Sequence, residues 1–228
     1  MRANFLDRAI GVMAPRAALK RMRARAAYDA VRGYDGAALG RHTDGWRAPS
    51  TSADWEIASA GPRLRDRHRD LVRNNPHAAK AVSAWVTSIV GDGIQPRTDN
   101  KKVMDAFKEW CGQCDADGQL NFYGLQTLAA REMVEGGEVL IRRRPRRASD
   151  GLAAPVQVQI LEADLLDGTK NGAVANGNEV IQGVEFDVIG RRQNYWLFAQ
   201  HPGSSSVSVL SKRFGSAAVP ASDVIHLY

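Results

Sequence analysis

The spacing of apolar residues changes its period at Gly136-Gly137, and this change restricts the fold more than any other feature of the sequence. Before the glycine pair, apolar residues recur at i, i+3, i+4 and i+7, as on one helix face: Val82, Trp85, Val86 and Ile89. After it, they alternate with polar residues, as in a half-buried strand: Val156, Val158 and Ile160. Helices followed by a meandering sheet predict an α+β fold with a mostly antiparallel sheet.

Capping signals predict where the helices begin and end. Asn75 is a good N-cap, Pro76 fits the first helical position, and Gly91-Asp92-Gly93 ends that helix. A second amphipathic helix is predicted for residues 103–111. Asn121 can cap a third helix, which the glycine pair ends before the first strand.

The second half of the chain predicts strands and one hairpin. Strands are expected at residues 138–142, 156–160, 184–188, 195–199 and 224–228. Gly190-Arg191 lies between the third and fourth of these, which indicates an antiparallel hairpin. The five arginines around Pro145, from Arg142 to Arg147, are interpreted as a basic loop after the first strand.

Charge and composition divide the chain into a basic arm and a domain. Residues 1–80 hold 16 Lys and Arg against 8 Asp and Glu, a net charge of +8, whereas the remainder is net −2. Residues 1–60 are rich in Gly, Ala and Arg and poor in large apolar residues, so they predict an N-terminal arm containing a basic helix over residues 15–28. Residues 61–228 predict the α+β domain.

No segment approaches the roughly 18 to 20 apolar residues of a membrane helix, and Asp7-Arg8 interrupts what would be the core of a signal peptide. A cytosolic protein without membrane contact is expected. The cysteines form a CxxC, Cys111 and Cys114, but no second cysteine pair or closely spaced histidine pair accompanies it. They are therefore interpreted as ordinary thiols.

Motifs for catalysis and phosphate binding are missing from the sequence. Neither glycine-rich segment matches GxxxxGK[ST] or GxGxxG, and no Ser, His and Asp set has local support. Glu162 and Asp164 follow a predicted strand and, with His201, remain open as the ligands of a metal-dependent enzyme, although a strand-end turn explains them equally well. The sequence predicts no catalytic residue, no cofactor and no metal site.

Two clusters of basic residues are candidates for contact with DNA or with another subunit. The first lies in the predicted arm helix, and the second follows the first predicted strand. Their members are Arg16, Lys20, Arg21, Arg23 and Arg25 in the arm, and Arg142, Arg143, Arg144, Arg146 and Arg147 in the domain. Aromatic residues are not interleaved with them, so any DNA contact is expected to be non-specific.

An ordered series of phrases resembles the lambda family of phage portal proteins. The phrases are residues 67–77 (RHRDLVRNNPH), 89–94 (IVGDGI), 107–110 (FKEW), 114–118 (CDADG), 122–126 (FYGLQ), 131–139, 159–164 (QILEAD), 181–187 (IQGVEFD), 190–191, 195–196, 201–203 (HPG) and 219–227 (VPASDVIHL). Their order and spacing carry the resemblance, which is looser before residue 60.

The resemblance implies a structural subunit of a closed ring of about twelve copies at one capsid vertex. Double-stranded DNA is packaged and ejected through such a ring, which also binds the terminase motor, the capsid and the head-tail joining proteins. The expected location is the virion, with assembly in the host cytoplasm. The family is longer, so this chain would be an N-terminal portion with a wing-like domain, ending before the stem, clip and crown. A non-specific DNA-binding module using the basic arm is the alternative.

Overall fold

The structure is a computed structural model that describes residues 14–32, 45, 50–174, 177–204 and 215–228. The chain divides into two compact units, residues 1–50 and residues 51–228. In the first unit, the predicted basic helix is present as α1, Pro15–Arg32. Within the described part of the chain, no helix is both long and apolar enough to cross a membrane.

The second unit begins with a helical layer. Its helices are α2 (Ala53–Asn74), α3 (Pro76–Val90), α4 (Lys101–Cys111) and α5 (Phe122–Gly136). The predicted caps are confirmed: the Asn75 side chain accepts from the backbone N–H of His77, and the Asn121 side chain accepts from that of Gly124. Gly137 ends α5 in the left-handed conformation, with φ of 82°, which glycine adopts at little cost.

Helix α2 begins at a serine cap and contains a proline. Ser52 caps it by accepting from the backbone N–H of Trp55, and the helix then runs through Pro62. Proline cannot donate to the carbonyl of Ala58, but both residues are exposed, so water can reach that carbonyl. The arm boundary predicted at residue 60 therefore falls within α2.

The strands form two antiparallel sheets. They are β1 (Val139–Pro145), β2 (Val156–Glu162), β3 (Gly172–Ala173), β4 (Glu179–Ile181), β5 (Val184–Phe186), β6 (Arg192–Leu197), β7 (Ala217–Pro220) and β8 (Val224–Leu227). One sheet has the order β2-β1-β8 and the other the order β3-β4-β5-β6-β7. The predicted hairpin is confirmed as β5 and β6, in which Val184 pairs with Tyr195. The α+β prediction is confirmed.

Strand β1 extends further than predicted. The interpretation of residues 142–147 as a loop is wrong for residues 142–145, because Arg142 pairs with Gln159 and Arg144 with Gln157 in an antiparallel ladder. Backbone hydrogen bonds to β2 continue the strand through Pro145, although its side chains are charged. The arginines are therefore held at strand spacing rather than in a flexible turn.

Two apolar clusters hold the second unit together. Leu140, Leu161 and Val224 of the three-stranded sheet pack with Val184 and Tyr195 of the five-stranded sheet. The second cluster joins the helices through Val72, Val82, Val86 and Ala130. The two sheets thus share one core, and the helices share another.

The predicted apolar face of α3 is only half buried. Val82 and Val86 are in the helical core, but Trp85 is 64% exposed and Ile89 is 48% exposed. Val82 and Val86 make the contact with the other helices, and Trp85 and Ile89 flank it on one side. Two large apolar side chains are therefore left on the surface of the unit.

Candidate functional site

Helix α1 carries the first predicted basic cluster. Arg16, Lys20 and Arg23 are exposed and share one face, because they are spaced i, i+4 and i+7. Arg21 is exposed as well, and the side chain of Arg25 lies outside the described residues. Residues 1–50 hold 10 Lys and Arg against 4 Asp and Glu. This face of α1 can attract a polyanion without reading its sequence.

Strand β1 divides the second basic cluster between its two faces. Arg142 and Arg144 lie on the same face as the buried Leu140, and Arg143 lies on the opposite face, because side chains alternate along a strand. Arg142 and Arg144 are each half-buried, whereas Arg143 is exposed. The cluster is therefore not one continuous basic surface.

The arginines on the two faces differ in their partners. Arg143 donates from Nε and Nη2 to Oδ1 of Asp223, at 3.0 and 2.6 Å. Arg146 donates from Nε to Oε1 of Gln157 at 2.8 Å. Within the described residues, Arg142 and Arg144 have neither an ion pair nor a hydrogen bond through their guanidinium groups. Burial, together with the charge of Arg144, lowers the pKa of Arg142 below its ordinary value.

The possible metal ligands Glu162, Asp164 and His201 do come together. Their ligand atoms lie within 4.8 Å of one another, with His201 Nε2 at 3.9 Å from Asp164 Oδ2 and 4.0 Å from Glu162 Oε2. Glu162 ends β2, and Asp164 lies in the single 3-10 turn that follows. The two carboxylates therefore lie in a strand-end turn, and His201 also lies close to them.

Two arginines of α2 already form ion pairs with these carboxylates. Arg69 Nη1 lies 2.7 Å from Asp164 Oδ2, its Nη2 lies 3.2 Å from Glu162 Oε2, and Arg65 Nη1 lies 3.2 Å from Asp164 Oδ1. Burial opposes ionisation of Asp164, but the hydrogen bond from Arg69 and the charges of both arginines hold its pKa below the ordinary value. A divalent cation here would lie next to two guanidinium groups, and the resulting repulsion disfavours it.

The same network reaches the start of β1 and the end of β8. Arg65 Nη2 lies 2.7 Å from Glu138 Oε1, and His226 Nε2 lies 2.9 Å from Glu138 Oε2. Arg65 also donates from Nε to the carbonyl of Gly136 at 3.1 Å. The helical layer is therefore joined to the three-stranded sheet by charge-assisted hydrogen bonds at the point where helix changes to strand.

Carboxylates outnumber guanidinium groups in this network. Four carboxylates, those of Glu132, Glu138, Glu162 and Asp164, accompany the two guanidinium groups of α2. Burial and the charge of Glu162 raise the pKa of Glu132, in keeping with that excess. Glu162 is the most exposed of the four, at 47%. We call this set, with Arg65 and Arg69, the carboxylate cluster.

The CxxC places one of its two thiols, that of Cys114, in the interior. Both cysteines are free, and the Cys114 thiol, which is fully buried, lies 3.3 Å from the carbonyl oxygen of Cys111. Burial, followed by the charges of Cys111 and Asp115, raises the pKa of Cys114 to about 11. A thiol with such a pKa is a weak nucleophile and a poor metal ligand at neutral pH.

Sequence reasoning missed Arg65, Arg69, Glu138 and His226 as members of a polar network. The available signal was the placement of Arg65 and Arg69, four residues apart, on the same helix face as Val72. Charged residues on a buried face require partners, and the sequence does not say which carboxylates supply them.

Comparisons with known proteins agree with the resemblance found in the sequence. The chain matches the family described as phage portal protein, lambda family, over residues 39–228. It is also similar to a curated probable portal protein of Halomonas phage phiHAP-1, with 31% identity over 177 residues, which cover 70% of this chain and 33% of the relative. The aligned region thus spans about a third of that relative's length. Because the family match includes the whole second unit and most of the chain, this protein belongs to the lambda family of phage portal proteins.

Proposed function

We propose that the chain forms part of a structural portal subunit, which assembles as a closed ring of about twelve copies at one vertex of the capsid. Double-stranded DNA passes through this ring during packaging and ejection. The terminase motor, the capsid and the head-tail joining proteins bind to it, first in the host cytoplasm and then in the virion. The observation that carries the proposal is the family match over residues 39–228.

The surface of the second unit supports a role in assembly. Trp85 and Ile89 are large apolar side chains left exposed by the packing of α3, and such side chains are typical anchors of protein interfaces. The clustered charged groups are engaged with one another, as in the pairing of Arg69 with Asp164. This arrangement favours a structural role without a catalytic site, cofactor or metal.

The functional division remains a basic arm, residues 1–60, followed by a wing-like domain, residues 61–228. In the arm, the cations of α1 are the proposed non-specific DNA contacts, because they are exposed on one helix face. The arginines of β1 and the loop after it are the proposed contacts within the assembled particle. The sliding of DNA through a ring requires weak contacts of this kind, since tight base-specific binding would stop it.

Negative-stain imaging with mass determination on the full-length phage protein tests this function. Rings of about twelve copies with a central hole are expected. A uniform monomer that binds DNA in low salt would instead support the alternative, a non-specific DNA-binding module. The observation that favours this alternative is the charged face of α1, formed by Arg16, Lys20 and Arg23.

A further inference from the structure

The second unit is electrically neutral as a whole but uneven in its charge distribution. Residues 51–228 contain 21 Lys and Arg and 21 Asp and Glu. Among the described residues, the guanidinium groups of Arg142 and Arg144 have no hydrogen bond or ion pair, and only the charge of Asp223 attracts Arg142 from a distance. The carboxylate cluster has two more carboxylates than guanidinium groups. A positive surface at the arginines and a surface rich in carboxylates at the cluster are complementary in charge.

The two places lie on opposite faces of the same three-stranded sheet. Arg142 and Arg144 share a face with Leu140, whereas Glu162 pairs with Val139 and therefore lies on the other face. Consequently the arginines cannot reach Glu162 of their own chain without leaving the strand. A neighbouring copy could present that carboxylate to them.

We infer that Arg142 and Arg144 of one copy bind the carboxylate cluster of a second copy, with Glu162 as the accessible acceptor. The contact joins two different surfaces, so it is heterologous and propagates around a ring instead of closing a dimer. This inference rests on the proposed function and adds to it the surfaces through which neighbouring subunits meet.

A second copy suits these arginines better than DNA does. Both side chains are half-buried by their own chain, whereas the cations of α1 are exposed. A half-buried guanidinium binds best to a carboxylate held in a fixed position, which it can contact through two parallel hydrogen bonds. A duplex that slides past offers no fixed acceptor.

The test is a charge exchange in the 228-residue chain, followed by sedimentation analysis of self-association at low and moderate salt. Arg144→Glu and Glu162→Arg should each weaken self-association by about tenfold or more, because each places like charges opposite one another. The double variant, or a mixture of the two single variants, should recover most of the loss, since the ion pair is re-formed in reverse.

Arg191→Glu is the control, because it makes the same charge change in the exposed turn between β5 and β6, outside both surfaces. It should leave self-association within about twofold of wild type. Thermal melts check that each variant is folded, and Glu162→Gln replaces Glu162→Arg if the latter is not. Glu162→Gln should weaken association less, but in the same direction.

Four outcomes overturn the inference. Single variants that associate like wild type would exclude the contact while leaving the ring intact. If the single variants lose self-association and neither the double variant nor the mixture recovers it, this pairing is excluded. Loss of DNA retention in Arg144→Glu with unchanged self-association would assign the arginines to DNA. A wild-type 228-residue chain that stays monomeric would also overturn the contact, whereas imaging of the full-length protein tests the ring separately.

Discussion

Arg69 and Asp164 lie 95 residues apart in the sequence, yet Nη1 of the arginine and Oδ2 of the aspartate are 2.7 Å apart. The pair joins α2 of the helical layer to the turn after β2. Its side chains are 21% and 19% exposed, so solvent only partly screens the interaction. The pair therefore fixes the position of the helices relative to the sheet.

Replacing Asp164 with Asn should destabilise the second unit by about 2 kcal/mol, because it leaves two partly buried guanidinium groups without their shared acceptor. Urea unfolding measures the difference. Arg143→Gln, which breaks an ion pair whose arginine is 59% exposed, should cost less than about 1 kcal/mol. If the two variants lose the same unfolding free energy, the carboxylate cluster stabilises the unit no more than a surface ion pair does.

Stability should also depend on pH through Asp164. Its folded pKa is lowered, so it stabilises the folded state above its unfolded pKa of about 3.9, and this contribution is lost as the pH falls through the folded pKa. The unfolding free energy of the wild type should therefore fall from about pH 4 downward more steeply than that of Asp164→Asn. Urea titrations at several pH values measure both slopes, and parallel curves would contradict the assignment.

The two cysteines should differ in reactivity. With a pKa of about 11, Cys114 is almost entirely protonated at pH 8, and its side chain is fully buried. Cys111 is only partly buried and should be alkylated first, with Cys114 following only after denaturation. Peptide mass spectrometry after iodoacetamide treatment measures the order. Simultaneous modification in the native state would show that Cys114 is accessible.

Divalent cations should not stabilise the chain. Arg65 and Arg69 already neutralise Asp164, and a metal ion would have to displace them. Thermal melts with Mg²⁺, Mn²⁺ or Zn²⁺ are therefore expected to match the metal-free protein. A rise in Tm that is lost in both Glu162→Gln and His201→Ala would instead establish a metal site at these residues.

The α1 cations should carry the salt-dependent affinity for DNA. Replacing Arg16, Lys20 and Arg23 with Gln should reduce the slope of log K against log salt by up to about 2.7, if each contacts one phosphate. Titration of a short duplex by fluorescence anisotropy at several salt concentrations measures this slope. Arg142→Gln with Arg144→Gln is the comparison variant and should leave the slope unchanged.

Local signals were sufficient to predict much of the fold. Asn75 and Asn121 cap their helices through contacts with backbone groups two or three residues away, and the hairpin at Gly190-Arg191 joins neighbouring strands. Such interactions are encoded within a few residues, so spacing and capping rules find them. The change from helices to strands at Gly136-Gly137 followed from the same rules.

The features that the sequence did not predict depend on distant partners or on solvent. The path of α2 through Pro62 requires that the carbonyl of Ala58 be exposed, which spacing alone does not indicate. Strand β1 continues through charged residues because β2 pairs with it. Arg65 could be placed on a helix, but its acceptors Glu138 and Asp164 are 73 and 99 residues away.

The pairing of β8 with β1 has a consequence for synthesis of the chain on the ribosome. His226 and Glu138, which meet at this junction, are 88 residues apart. At translation rates of about 5 to 20 residues per second, the edge of β1 that β8 will occupy stays open for roughly 4 to 18 seconds. An open strand edge invites aggregation, and flanking charges suppress it. Arg142, Arg143 and Arg144 are therefore expected to oppose pairing of this edge with other chains during the interval.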